Sequence, residues 1–274
     1  MKNLLKADFT RVLKDKLLIV LGILAVVFAV SMPLLYAVIF SSAGSLEEEM
    51  IALFVTAKAQ FFGAFSIGNN FGLIAPVLLA IALCKDFSFG TIRNKVIAGK
   101  SRIAIYMSLF TTCATALIGI MLLHAFITLG VSLLFFDYQI TPFTVSDFWY
   151  FLASLAFELL VLLFVSALLT YLCACMKNVG LVIVLYIAIA LILVMAGSLI
   201  QVVVTILELT ENTETLVSVL HFLGRINVGN AATYIGMGVE YTLEDVLYLT
   251  IPATVGILGF TGFGLLSFGK KDLK

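Results

Sequence analysis

The residues of this sequence that could do chemistry are few and sit in unusual places. Glu158 and His124 each interrupt an otherwise apolar run. An ionisable group at such depth is costly in lipid and marks a functional position by default. Glu158 lies ten residues, and His124 twelve, from the outer ends of their runs, about 15 Å and about 18 Å deep at a rise of 1.5 Å per residue. On consecutive antiparallel helices the two would meet, which would satisfy both groups and fix helix rotation. A purely structural interhelical contact and a polar spot on a substrate path, or a protonation site, both fit that placement. Gln201, Asn69 and Asn70 are further polar groups that would bond across helices or to cargo.

Other signals fail on their own terms. Gly99-Lys100-Ser101 ends like a phosphate-binding loop, but the second glycine such a loop needs is replaced by Asn94, and an apolar run precedes it instead of a strand. An intramembrane metalloprotease needs two or three converging histidines with a carboxylate, and only His124 and His221 are present. No catalytic, cofactor-binding or metal site is therefore expected. Cys84, Cys113, Cys173 and Cys175 fall within or beside apolar runs, which reads as reduced packing residues rather than an extracellular disulfide framework.

The elements that must position these groups are membrane helices. Of 274 residues, 62% are hydrophobic and 12% charged, with a mean hydropathy of +1.18, far from the composition of a soluble domain. Since a helical span takes ~20 apolar residues, the runs at 17–40, 62–84, 103–136, 148–176, 179–206 and 246–268 read as six spans of one all-α integral membrane domain over residues 1–274. The first is too long for the apolar core of a signal peptide. The third exceeds a bilayer's thickness and should tilt or project from the lipid.

Net charge is zero, with 16 basic and 16 acidic residues, so nothing points to nucleic acid; the placement of charge is what informs. With both termini cytoplasmic, fourteen of the sixteen basic residues lie inside, and only Lys58 and Arg225 outside. That asymmetry is the one that orients membrane proteins. Residues 2–16 place Leu5, Phe9, Val12 and Leu13 on one stripe, with Leu4 and Asp8 at its borders, as in a helix lying in the inner headgroup layer. Between spans five and six, Thr213 is placed to cap a short outer helix with Leu216, Val217, Leu220 and Leu223 on its apolar face and Gly224 at its end; such a helix would dip into the outer membrane surface.

The segment from Lys85 to Arg102, between spans two and three, is too long for a turn. Ser88 is placed to cap a short helix, Ile92, Val96 and Ile97 to form its apolar patch, Gly99 to end it, and Ser101 to cap the third span. A solvated basic loop that only enforces topology is the simpler alternative.

A second span ending in charge, then Gly90, Thr91, Ile92 and Asn94, then Gly99, Ser101 and Arg102 before span three, resembles the permease subunits of ABC-2 type exporters. The cationic start and basic tail, Gly269 to Lys274, are similar too. The resemblance implies that the segment is a coupling helix, with Asp86, Phe87, Ser88, Gly90, Thr91, Ile92, Arg93, Asn94, Lys95, Val96 and Ile97 engaging a separate ATP-binding subunit, Asp86 being slightly offset from the carboxylate many members carry. It further implies two ATPase copies that bind ATP and Mg, a second permease copy or a homologous permease, lipid around them, and no enzymatic activity in this chain alone. In size and bare six-span layout the chain resembles members that export bacitracin, lantibiotics or other amphipathic peptides across the plasma membrane of Gram-positive bacteria. The expected function is then ATP-driven export of an amphipathic cargo, with Glu158, His124 and Gln201 on its path. An ion-coupled secondary transporter using Glu158 is the alternative, although paired broken helices or a second six-span half are not evident.

Overall fold

A computed structural model describes residues 2–42, 56–68, 70–88, 90–137, 144–176, 178–208, 214–229 and 243–270. Among them all regular structure is α-helical: α1 (Lys2–Lys14), α2 (Lys16–Ser42), α3 (Ala57–Gly63), α4 (Asn70–Ser88), α5 (Thr91–Ile97), α6 (Arg102–Ser132), α7 (Val145–Cys175), α8 (Val179–Glu208), α9 (Glu214–Arg225) and α10 (Leu243–Lys270). Five helices, α2, α6, α7, α8 and α10, are long and apolar enough to cross a membrane, and a sixth crossing is reached if α4 and α5, bent by 49°, count together. The chain is a multi-pass membrane protein. α7 is central and packs on α3, α4, α6, α8 and α10. The ends of α1, α4, α6 and α10 that carry Lys14, Lys85, Arg102 and Lys270 define a basic end of the bundle.

Several boundaries differ from the periodicity. The run at 62–84 is not one helix. α3 ends at Gly63, residues 64–68 turn, and α4 begins at Asn70. The break is closely packed, because a Cβ on Gly72 would meet the Ser66 carbonyl oxygen at 2.0 Å; a continuous helix would separate those groups. Phe61 stacks on Phe151 of α7 and tilts against Phe126 of α6, with ring centroids 5.3 and 5.4 Å apart. α3 is thus held by aromatic packing rather than by continuity with α4. The run at 103–136 stops being helical at Ser132, after which three-residue turns carry the chain to Asp137. α7 starts three residues ahead of the expected Phe148, where the Asp147 carboxylate accepts the Thr144 N–H at 2.5 Å and its hydroxyl at 2.6 Å.

α1 also differs. Its protein-facing side is Leu4, Asp8 and Val12, all buried, while Phe9 and Leu13 of the expected stripe are exposed. Asp8 faces inward because its partners lie there. α9 exists as expected, but Leu216 and Leu223 are exposed and the helix runs past Gly224 to Arg225. It lies antiparallel to α8: a Cβ on Gly224 would sit 3.4 Å from Ile200, and the Asn227 side-chain amide donates to the Leu193 carbonyl at 2.7 Å. Leu193 is fifteen residues from the end of α8, about 22 Å along its axis. The segment therefore runs back well down the bundle. The expected cap Thr213, the acidic stretch Glu47 to Glu49, Asn69 and Lys177 lie outside the described residues.

Candidate functional site

α5 is built to be a rigid piece. Its first turn needs a left-handed residue, supplied by Gly90 at φ 69°, a conformation that costs a side-chain-bearing residue about 1–2 kcal/mol. No side chain caps it; Ser88, expected as the cap, is the last residue of α4. At the other end Gly99 is left-handed at φ 76°, with Gly99 N–H donating to Val96 O at 2.9 Å and Lys100 N–H to Lys95 O at 3.1 Å. This is a Schellman closure. Ser101 then caps α6, its hydroxyl accepting from the Ala104 N–H at 3.3 Å.

One side of α5 is fastened to the bundle. Ile92 is buried in an apolar cluster with Leu4, Ile105, Tyr106, Leu109 and Phe268, and Val96 packs against it. Ile97, expected in the same patch, points the other way and is 73% exposed. Ile92 and Val96 are four positions apart on one face of the helix, whereas Ile97 lies one residue further round.

Ionic contacts complete the fastening. Lys95 Nζ donates to Asp8 Oδ1 of α1 at 2.6 Å and lies 3.5 Å from Asp86 Oδ2 of α4. Asp86 is fully buried and also receives Arg11 Nη1 from α1. Asp8 accepts in addition from the Ser108 hydroxyl of α6 at 2.6 Å. Thus α1, α4, α5 and α6 meet in one network. Beside it, Lys85 Nζ spans both oxygens of Asp15 at 2.8 and 3.0 Å. Burial pushes the Asp15 carboxyl up, but the Lys85 ammonium and the Leu17 N–H outweigh it and hold the carboxyl below its ordinary value. Arg102, at the start of α6, donates to the carbonyls of Phe268 and Gly269 at 3.3 and 2.7 Å and so ties down the C-terminal end of α10.

The eleven residues singled out between Asp86 and Ile97 therefore divide. Asp86, Ile92 and Lys95 face the bundle, and Phe87 is half-buried with its ring edge-on to Phe268 at 6.2 Å. Gly90 makes the turn, and Thr91 and Val96 are half-buried. Arg93, Asn94 and Ile97 face outward with Lys100 just beyond. The outer face is cationic and amide-bearing, with one bare aliphatic group. Asp8, Arg11, Asp15 and Ser108 were not singled out by the motif; the available signal was the i, i+4, i+8 spacing of Leu4, Asp8 and Val12, which places a carboxylate in the middle of an apolar face.

The intramembrane polar residues are not joined as their spacing suggested. Glu158 is fully buried, and neither carboxyl oxygen has a hydrogen-bond partner. His124 is buried, its ring stacked on Phe71 with centroids 4.5 Å apart and its Nδ1 unpartnered. No ion pair links the two. His124 prefers the Phe71 face because α4 starts at its level and supplies an aromatic ring there. Gln201 is exposed on α8. Cys84 and Cys173 are buried, the Cys84 thiol donating to the Cys173 sulfur at 3.0 Å with no disulfide between them. No group of three or more metal-ligating side chains occurs among the described residues.

No protein-family model matches the chain, and no curated protein matches it either.

Proposed function

We propose that this chain is the membrane-spanning permease subunit of an ATP-driven exporter, and that α5 is the handle by which a separate ATP-binding subunit moves it. The observation that carries the reading is the division of α5: one face is pinned to α1, α4 and α6 by Ile92 and Lys95, and the opposite face presents Arg93, Asn94 and Ile97. A force applied to that outer face reaches α4 and α6 through buried contacts rather than through a loose loop. The basic end is cytoplasmic in this reading, because fourteen of the sixteen basic residues then lie inside. Both termini are cytoplasmic, the membrane is the plasma membrane, and six spans result if the α4–α5 unit crosses once.

The ATPase brings the nucleotide and its Mg, two copies of it serving two permeases, identical or homologous. The cargo is amphipathic, a peptide on the resemblance to exporters of antimicrobial peptides. Purification in mild detergent with mass spectrometry of the bound proteins tests the partner. A co-purifying ATP-binding protein supports the reading, and an active preparation without one defeats it. The double variant Arg93→Glu, Ile97→Asp should insert and fold, keep ATP hydrolysis by the complex, and lose transport; unchanged transport removes α5 from the coupling role.

A further inference from the structure

The buried carboxyl of Glu158 is the least explained group in the molecule, and its surroundings can be located. Cys84 of α4 touches Cys173 of α7 near the last turn of each helix, and the two helices run in the same direction, since Phe61 ahead of α4 meets Phe151 early in α7. Counting fourteen residues back along each gives Asn70, the first residue of α4, and Leu159, both about 21 Å from the cysteine contact. On α6, Cys113 lies against Ser166 and Thr170 of α7; eleven residues on, about 16 Å away, is His124, level with Phe157 and Glu158. Two independent contacts thus bring Glu158, His124 and the start of α4 to one depth. The face agrees: Phe151, Glu158, Leu162, Leu169 and Cys173 fall within one narrow side of α7 at helical spacing. Phe151 on that side meets α3, and Cys173 meets α4. Glu158 lies on that same side between them, at the depth where α4 begins.

A break in a membrane helix leaves backbone carbonyls at the end of one piece and amides at the start of the next, the arrangement from which transporters build sites at mid-membrane. Here neither Glu158 oxygen accepts a bond, even from the α4 amides at its level, and His124 Nδ1 is also unpartnered. An acidic group kept in an apolar surrounding without a partner is costly, and what such a set of acceptors lacks is a donor carrying positive charge.

We infer that residues 64–68 and the start of α4, with Glu158 and His124, form a binding site for the cationic ammonium group of an amphipathic ligand. Its apolar wall of Phe61, Phe62, Phe65 and Phe71 suits the ligand's hydrocarbon part. The inference deepens the exporter reading by naming the charge of its cargo, and rests on that reading for the word cargo only.

The test uses the purified permease in zwitterionic nanodiscs with decylammonium as the probe, decanol as the uncharged counterpart and empty discs as background. Saturable decylammonium binding above background, weakened about tenfold or more by Glu158→Gln as expected for loss of a charge-assisted contact, is the expected result, with decanol showing none. Equal binding by Glu158→Gln, or none above background, overturns the inference. A second readout needs no variant: a hydrophobic carbodiimide should label Glu158 in the wild-type chain, decylammonium should slow that labelling, and decanol should not. Labelling indifferent to decylammonium also overturns it. Because no ATPase is present in either measurement, failure here leaves the coupling reading standing, and failure to co-purify an ATPase leaves this site standing.

Discussion

Replacing Lys95 by methionine isolates the network that pins α5. The substitution keeps most of the side chain's length and removes its charge. Lys95 is 13% exposed and its partners Asp8 and Asp86 are 2% and 0% exposed, so two nearly dry carboxylates lose a shared cation. Removing one partner of a buried ion pair costs about 3–5 kcal/mol. Arg11 still serves Asp86 and Ser108 still serves Asp8, which puts the expected loss near the lower figure, about 3 kcal/mol. Native-state hydrogen exchange is the assay, since the amides of α5 should open more readily while those of α9, which packs on α8 and α10, hardly change. The control is Arg93→Met on the exposed face, for which about 0.5 kcal/mol or less is expected. The pair Lys95→Met and Asp8→Asn should also be non-additive, with a coupling of about 0.5–3 kcal/mol. Equal exchange in Lys95→Met and Arg93→Met would refute the claim that ionic contacts, rather than Ile92 alone, hold the helix down.

Gly90→Ala should raise exchange in α5 by an amount equivalent to about 1–2 kcal/mol, because φ is 69° while the space around the position is open; an unaffected helix would show that the left-handed turn is not needed. Gly256→Ala would place a Cβ 2.3 Å from the Phe164 ring of α7, and overpacking of this kind costs about 1–3 kcal/mol, read as a lower melting temperature in detergent and relieved by Phe164→Leu. The Asp15–Lys85 pair sets a pH dependence. Since the folded carboxyl titrates below the ordinary 3.8, its contribution is present above that value and is lost as pH falls through the lower folded value. Exchange at α1 and the adjoining start of α2 should therefore steepen on acidification below about pH 4, and Asp15→Asn should remove that step.

How much of this was legible in the chain varies by element. The apolar runs behind α2, α8 and α10 were read to within a few residues, because a helix that faces lipid needs little beyond hydrophobicity and length. The caps at Ser101 and Gly99 were legible for a similar reason: each depends on a local hydrogen bond or a local dihedral angle. The run at 62–84 misled, since apolarity is the same on either side of a break, and what divides it is the contact of Gly72 with Ser66 and the rings waiting on α6 and α7. In α5, periodicity gave the helix but not its orientation; the bundle chose Ile92 and Val96 as the anchored side and left Ile97 outside.

Charge shows the same division more sharply. Composition determined that this is a membrane protein, and the positions of the basic residues along the chain determined that positive charge gathers at one end, because the transfer of side chains between water and lipid depends on residue type and hardly on neighbours. Which of those charges work inside the protein was decided by tertiary contact. Asp8, Arg11 and Lys95 come from positions up to 87 residues apart, and an ion pair's strength depends on its separation and on its removal from water. The same holds for Glu158: its depth follows from counting residues, but that its carboxyl is fully buried and makes no hydrogen bond to His124 follows only from how the helices pack.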